Sequence, residues 1–228
     1  IDVKMVAWHS VYEVGHRLVD AFDDNNDSPR VFLTGDACHT HSAKAGQGMN
    51  VSMQDGFNIG WKLGHVLDGR APVELLSTYH GERQPAAQNL INFDKEWSTL
   101  MATPPEELED PCAVEKYYVA AEEFAAGMMT QYEENLIVGD TQHQDLATGF
   151  PVGKRFKSFE VLRRCDAVQQ HLGHQHFADG RYRIYAFADA PKAGEESKLS
   201  AWAERMKEVL AKFTPADADE NTYFDVEA

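Results

Sequence analysis

A carboxylate and two glycines lie close together in the chain, between a predicted strand and a predicted helix. Residues 31–34 (VFLT) form a short apolar run that predicts a buried strand, and Gly35 and Asp36 follow it directly. Asp36 could accept hydrogen bonds from ligand hydroxyls. Gly46 and Gly48 would let the backbone approach a flat ligand, and the free N–H groups of the helix that follows could receive an anion or a polarised carbonyl. Each feature alone also suits a plain turn or a tight helix start, so the prediction of a binding site depends on their order.

Two helices are predicted to hold this segment in place. The first begins near Met49 and carries an apolar stripe at steps of four or three residues, formed by Met49, Met53, Phe57, Trp61 and Gly64. The second runs from about residue 72 to about residue 100, where Pro85 should kink it or split it. A strand is predicted before the segment, over residues 3–8.

The second half of the chain differs in composition. Residues 104–145 contain eleven acidic side chains and one basic side chain, Lys116, with a helical pattern over 114–136. A solvated helix face explains this charge better than an acidic docking surface does. Farther on, Asp179-Gly180 between extended runs at 167–177 and 182–187 predicts a β-hairpin, and a helix over 198–213 and a further strand start at 224–228 complete a small α/β domain.

Composition excludes several classes of protein. The 228 residues include 37 Asp and Glu against 21 Lys and Arg, a formal charge of −16. Such a charge disfavours binding to nucleic acid or to an anionic membrane surface, and no apolar run approaches the roughly 18 residues of a membrane span. The three cysteines, Cys38, Cys112 and Cys165, have no CxxC spacing and no signal peptide precedes them, which indicates a reduced, cytoplasmic protein.

The segment after residue 34 resembles the second FAD-contacting motif of the single-component flavoprotein aromatic hydroxylases, in the branch of phenol 2-monooxygenase and 3-hydroxybenzoate 4-monooxygenase. The family's GDxxH pattern matches Gly35 to His39, and its loop-to-helix pattern matches KAGQGMN at 44–50. Further similarity lies in SVYEVGHR at 10–17, SMQD at 52–55, NIGWKL at 58–63, ERQP at 82–85, FD at 93–94, and in residues 149–156 and 179–187. The chain departs from the pattern at Ala43, where many members have proline.

The resemblance implies a cofactor, a reaction and roles for individual residues. FAD would be the cofactor, NAD(P)H would supply the reducing equivalents, and O₂ and a small phenolic ring would be the substrates. Asp36 would bind a ribityl hydroxyl, and the N–H groups of Met49 and Asn50 would lie near the pyrimidine-ring carbonyl of the flavin. Tyr12 is a candidate for lining the substrate pocket and hydrogen-bonding a phenolic oxygen, although a tyrosine in an apolar-rich segment more often packs in the core. The implied cofactor-binding set is Gly35, Asp36, Gly46, Gln47, Gly48, Met49 and Asn50.

Two groups of histidine and cysteine could be interpreted as metal sites. Imidazole and thiolate are good ligands, and they occur at residues 38–41 and at His171, His174 and His176. The FAD motif accounts for the first group, and the second lies in a predicted exposed strand or turn. We therefore expect no metal.

The predicted fold class is α/β in two parts. Residues 1–145 would form the rear part of a Rossmann-like FAD-binding and substrate domain with a helical connector, and residues 146–228 an incomplete thioredoxin-like domain. Because this domain has no CxxC, the resemblance implies that it serves dimerisation, as in a homodimer.

We expect the chain to be a fragment of a longer hydroxylase, since both ends look cut and no GxGxxG occurs. The alternative is a non-catalytic dimerisation module.

Overall fold

The computed structural model describes residues 2–11, 13, 15–24, 26–44, 46–163, 165–219 and 221–227. The chain forms two compact units, residues 1–157 and residues 158–228. The first unit contains strands β1 (Arg17–Leu18) and β2 (His39–Thr40) and helices α1 (Gly48–Leu67), α2 (Thr78–Ala102), α3 (Ala113–Ala120) and α4 (Glu122–Ala125). The second contains β3 (Glu160–Arg163), β4 (Val168–His171), β5 (Tyr182–Tyr185), α5 (Lys198–Leu210) and β6 (Phe224–Glu227).

The core of residues 1–157 lies where α1 and α2 pack together with the turn that precedes α2. It includes Phe22, Cys38, Ile59, Leu76, Tyr79 and Ala87, all less than 9% exposed. Helix α2 was predicted to kink or split at Pro85, and the prediction of a split is wrong because α2 runs unbroken through this residue. A proline inside a helix costs about 3 kcal/mol, and the burial of Leu90, Ile91 and their neighbours on the same helix offsets this cost.

Helix α1 buries a different face from the predicted one. The stripe predicted from Met49, Met53 and Phe57 is exposed, with 71%, 57% and 75% of these residues accessible. The buried face is mostly polar and consists of Asp55, Asn58, Ile59 and Lys62. The periodicity identified the helix correctly, but the polar side chains face inwards because α2 supplies charged partners for them.

The predicted strands in the first 34 residues are absent from the described part of the chain. Residues 3–8 are unpaired and largely exposed, and residues 31–34 contribute only an isolated bridge between Phe32 and Asp23. Val31 is 59% exposed, so the prediction of a buried strand is wrong for this chain. A strand needs a hydrogen-bonding neighbour, and apart from the Asp23–Phe32 bridge the pairing described in this region is that of β1 with β2, through Arg17–Thr40 and Leu18–His39.

Helix is shorter than predicted in the acidic segment. Helices α3 and α4 end at Ala120 and Ala125, and Gly127, with a φ of +71°, lies just beyond. The residues after it form bends, turns and a 3-10 helix at Gln144–Ala147, and Gln131 forms a bridge with Lys154. An aromatic cluster of Phe93, Trp97, Tyr117 and Phe124 joins these short helices to α2.

The described part of residues 158–228 contains two small two-stranded sheets, helix α5 and a turn of 3-10 helix at Leu172–Gln175. Strands β3 and β4 pair antiparallel, whereas β5 pairs parallel with β6. The predicted hairpin across Asp179-Gly180 is therefore wrong, although Gly180 does adopt the positive φ (+75°) expected of it. Helix α5 confirms the predicted helix, and its N-terminus is capped by Ser197, whose hydroxyl accepts a hydrogen bond from the Leu199 N–H. The thioredoxin-like assignment stays a prediction.

Within the described residues, every helix is too short or too polar to cross a bilayer.

Candidate functional site

Residues 35–48 form the turn and loop that precede α1. Gly35, Asp36 and Ala37 make one turn of 3-10 helix, in which Gly35 has a φ of +58° and is buried while Asp36 is exposed. A Cβ at Gly35 would lie 3.0 Å from the side chain of Ser52 on α1. The turn therefore packs tightly against the first part of α1 and turns the Asp36 carboxylate outwards.

The start of α1 lies beside the same turn. Gly46 has a φ of +67°, and a Cβ on Gly48 would overlap the ring of His41. Of the side chains that the structure describes, none caps the N-terminus of α1. The N–H groups of the first helical turn are thus available at the positive end of the helix dipole.

A cavity of about 500 Å³ brings several predicted residues together. Its walls include Asp36, Thr40, Ser42, Gly46, Gly48 and Met49. Gln47 and Asn50 instead line a neighbouring cavity of about 880 Å³ with Phe57, Trp61 and Tyr132, and the Asn50 amide donates to Gln47 Oε1 at 3.1 Å. Tyr12 lies outside the described residues, so its predicted role is not tested.

A buried ion pair between α1 and α2 supports the turn at residues 35–37. Asp55 and Arg83 are fully buried, and Arg83 Nε donates to Asp55 Oδ1 at 2.7 Å. The other oxygen, Oδ2, accepts from the Gly35 N–H at 3.2 Å and lies 2.8 Å from His39 Nε2. Burial alone would lower the pKa of Arg83, but Tyr132 and Asp55 raise it above its ordinary value, so the guanidinium stays charged.

A second buried pair continues this network between the two helices. Lys62 Nζ and the Asn58 amide both donate to Glu82 Oε2 at 2.6 Å, and the Asn135 amide donates to Oε1 at 3.1 Å. Burial lowers the pKa of Lys62, and contact with Glu82 opposes that effect. The sequence left Glu82-Arg83 open as a surface contact or an inter-helix polar contact, and the structure shows the inter-helix contact. The periodicity did not indicate that Asp55 and Lys62 would be buried.

Asp94 of α2 holds the beginning of the loop. Its carboxylate accepts from the Ser42 N–H and from the Ser42 hydroxyl, each at 2.6 Å, and lies 2.8 Å from His16 Nε2. Asp94 is completely buried. The sequence offered Phe93-Asp94 only as part of a resemblance, so this contact was not predicted.

Cys38, His39 and Asp55 have potential ligand atoms within 4.8 Å of one another. Burial, followed by the charge of Asp55, raises the pKa of Cys38 to about 12, so the thiol stays protonated and donates to the Gly35 carbonyl at 3.2 Å. Asp55 is already paired with Arg83. A metal needs a thiolate and a free carboxylate, so the arrangement fits structural support better than metal binding.

Two protein families match the chain. The FAD binding domain family matches residues 2–94, and the phenol hydroxylase C-terminal dimerisation domain family matches residues 130–228.

Curated relatives match almost the entire chain. A 3-hydroxybenzoate 4-monooxygenase of Comamonas testosteroni is 46% identical over 100% of this chain and 38% of its own length. The phenol 2-monooxygenase fsqG of Aspergillus fumigatus is 41% identical over 89% of this chain and 35% of its own length. The chain thus spans between a third and two fifths of the length of these relatives.

Solved structures share the fold at lower identity. CabE, an aromatic hydroxylase from angucycline biosynthesis, matches 97% of this chain and 39% of its own with a TM-score of 0.63 and 24% identity. The flavin-dependent monooxygenase PieE, solved in complex with FAD and substrate, matches 94% of this chain and 40% of its own with a TM-score of 0.59 and 20% identity. These structural likenesses show the fold alone. The two domain matches and the curated relatives show that the chain is part of an FAD-dependent aromatic hydroxylase, in the branch that includes 3-hydroxybenzoate 4-monooxygenase and phenol 2-monooxygenase.

Proposed function

We propose that these 228 residues form the flavin-facing rear part of a longer monooxygenase that hydroxylates a phenolic ring. The observation that carries the proposal is the 500 Å³ cavity, where the exposed Asp36 carboxylate and the uncapped N-terminus of α1 meet. The similarity to 3-hydroxybenzoate 4-monooxygenase favours an aromatic acid as substrate. Phenol 2-monooxygenase activity is the alternative within the same chemistry, supported by the second relative.

The residues around the cavity fit the flavin half of FAD. Its ribityl chain carries hydroxyls, which a carboxylate such as that of Asp36 binds well, and its ring carries carbonyl oxygens, which suit free N–H groups. A side chain at position 48 would collide with His41, so the loop needs glycine there, whereas nothing lies within 4 Å of the Cβ position at Gly46, where the backbone is open to a close ligand. Residues 1–228 contain no GxGxxG, so the pyrophosphate half of FAD would be held by residues of the longer protein.

The residues around the cavity then have specific roles in binding flavin. Asp36 accepts a hydrogen bond from a ribityl hydroxyl, and the Met49 and Asn50 N–H groups donate to the pyrimidine side of the ring, where negative charge collects on reduction. Bound FAD supplies the oxygen-transfer chemistry, with NAD(P)H as reductant and O₂ as oxidant. Gly46 and Gly48 keep the backbone close enough for these contacts.

The segment that carries Tyr12 supports its proposed role at the substrate. Thr40 Oγ1 donates to the Gly15 carbonyl at 2.7 Å, and His16 reaches Asp94, so the residues just after Tyr12 are joined to the segment around the cavity. A phenolic hydroxyl in this region could bind the oxygen of a phenolic substrate.

Residues 146–228 would serve dimerisation, and residues 1–145 would serve flavin and substrate. The match to a dimerisation domain family supports a homodimer. So do the apolar side chains that residues 158–228 leave exposed, among them Phe177 (72%), Phe187 (62%) and Phe213 (65%). A dimerisation module without chemistry of its own is the second candidate, favoured by the same observation.

A product assay distinguishes these proposals. The longer protein that contains these residues would be incubated with FAD, NADPH and air, with 3-hydroxybenzoate and phenol in parallel. We expect NADPH-dependent formation of a dihydroxybenzoate from the former, and a catechol from phenol would favour the alternative. Failure to hydroxylate either ring, with FAD bound, would contradict both.

A second experiment concerns the 228 residues alone. After incubation with FAD and desalting, an absorbance scan should show little retained flavin, because the pyrophosphate half has no cradle here. Stoichiometric retention would show that these residues hold the cofactor by themselves.

A further inference from the structure

We infer that Asp94 is a positioning residue that fixes the loop before α1 in the shape required for flavin binding, and that it acts through Ser42. This inference rests on the proposed function, because it names the residue that sets the geometry of the same site. Asp94 itself lies on α2, 46 positions beyond Gly48 in the sequence, and is fully buried.

The hydrogen bonds of Asp94 account for this role. Both the N–H and the hydroxyl of Ser42 donate to the carboxylate, one oxygen each, at 2.6 Å. Two bonds from one residue fix both its backbone position and its side-chain rotamer. Hydrogen bonds to a charged acceptor in a buried setting are also stronger than those between neutral groups.

Ser42 passes this constraint on to the loop. It lines the 500 Å³ cavity, and its hydroxyl oxygen also accepts from the Lys44 N–H at 3.3 Å. The Lys44 ammonium donates to the Ser98 carbonyl of α2 at 3.3 Å, which ties the loop to the same helix a second time. Gly46, two residues after Lys44, has a left-handed φ. The loop is therefore held against α2 at Ser42 and Lys44 just before it turns into α1.

The third partner of Asp94 connects the substrate side of the proposed site. His16 Nε2 lies 2.8 Å from Asp94 Oδ2, and His16 follows Tyr12 by four residues. One buried carboxylate thus joins α2, the loop before α1 and the segment that carries Tyr12. A residue that only stabilised the core would not need to contact both of these segments.

Asp94→Asn tests the role, because it keeps the size of the side chain and replaces an acceptor oxygen with an amide. Amide hydrogen exchange would be measured by mass spectrometry on the 228-residue chain without flavin. We expect exchange in residues 41–48 to become about tenfold faster or more, consistent with the loss of a charge-assisted hydrogen bond, while the middle of α1 and of α2 stays protected.

Two controls separate positioning from general stability. Leu90→Ala, at a fully buried position of the same helix, should accelerate exchange throughout both helices. Asp68→Asn, at a side chain that is 68% exposed, should change neither region. If Asp94→Asn accelerates exchange across α1 and α2 as Leu90→Ala does, or leaves residues 41–48 unchanged, the inference is overturned. Should Asp94→Asn not fold, Ser42→Ala removes the hydroxyl that donates to Asp94 and accepts from the Lys44 N–H, keeps the bond from the Ser42 N–H to Asp94, and should produce the same local effect at smaller size.

The link to flavin is tested on the longer protein by titration with FAD. Asp94→Asn should weaken FAD binding about 10- to 100-fold relative to Asp68→Asn and shift the visible absorption bands of the bound flavin. Faster exchange of the loop with unchanged FAD affinity would overturn the assignment to flavin. If the unaltered longer protein bound no FAD, the proposed function would fail instead, and hydrogen exchange would still decide whether Asp94 fixes the loop.

Discussion

The ion pairs between α1 and α2 and the ion pairs of helix α5 join similar side chains in opposite surroundings. Arg83–Asp55 and Lys62–Glu82 have at most 1% of their side chains exposed. Arg205–Glu208 and Lys207–Glu204, on α5, have between 68% and 77% exposed. No described residue of 158–228 is buried, whereas residues 1–157 contain a core with charged groups inside it.

This difference shows that ion pairs fix the positions of neighbouring residues where they are buried, between α1 and α2. Buried pairs stabilise little in total, because desolvation offsets their attraction, but they strongly oppose any arrangement that separates them. The Arg83–Asp55 pair therefore fixes Gly35, beside the proposed flavin site. The surface pairs of α5 are screened by solvent and fix little. Three experiments test this comparison.

The largest effect is expected from Arg83→Met, which leaves Asp55 buried without its cation. We expect the free energy of unfolding of residues 1–157 to fall by about 3–5 kcal/mol, measured by urea denaturation. Arg205→Met is the matched change on the exposed pair and should alter stability by no more than about 0.5 kcal/mol. Equal effects of the two variants would refute the contrast between the regions.

A smaller effect is expected from Gly35→Ala compared with Gly180→Ala. Both glycines have positive φ, so alanine should cost about 1–2 kcal/mol at either position. Only at Gly35 would the new Cβ also press against Ser52, at 3.0 Å, while nothing lies within 4 Å of it at Gly180. Thermal unfolding should therefore show the greater loss for Gly35→Ala, and a greater loss at Gly180 would contradict the packing of the turn.

The smallest effect on stability is expected from alkylation of the free thiols. Cys112 and Cys165 are exposed and should react with iodoacetamide at pH 8, whereas buried Cys38, with its pKa raised to about 12, should not. Mass spectrometry of the folded chain would then show two modifications.

Because the pKa of Cys38 is higher in the folded state than in the unfolded state, its contribution to stability is present below pH 9 and is lost as the pH rises from 9 to 12.

The sequence predicted the helices better than the strands. It also predicted the locations of turn residues better than the contacts between distant side chains. Helices α1, α2 and α5 lie where the sequence predicted helices. The strand predicted at residues 31–34 is missing, because strands depend on neighbours that a local pattern does not supply. Turn residues such as Gly46 and Gly180 were predictable, since a positive φ is a local property.

Long-range polar contacts explain most of what the sequence could not predict. Asp55 and Arg83 are 28 positions apart, and Asp94 is 52 positions from Ser42. Burial is unusual for Asp and Arg, and nothing in the local sequence around these residues marks it. Only the packing of α1 against α2 brings these groups together inside the core.

The central claim is that Asp36 contacts the flavin. It is tested most directly by the flavin-to-protein absorbance ratio of the longer protein with Asp36→Ala, purified beside Asp68→Ala, which alters an exposed carboxylate at the far end of α1. We predict a clearly lower ratio for Asp36→Ala only, because it removes the acceptor for a ribityl hydroxyl. An unchanged ratio would contradict the role of Asp36 and, with it, the assignment of the 500 Å³ cavity to flavin.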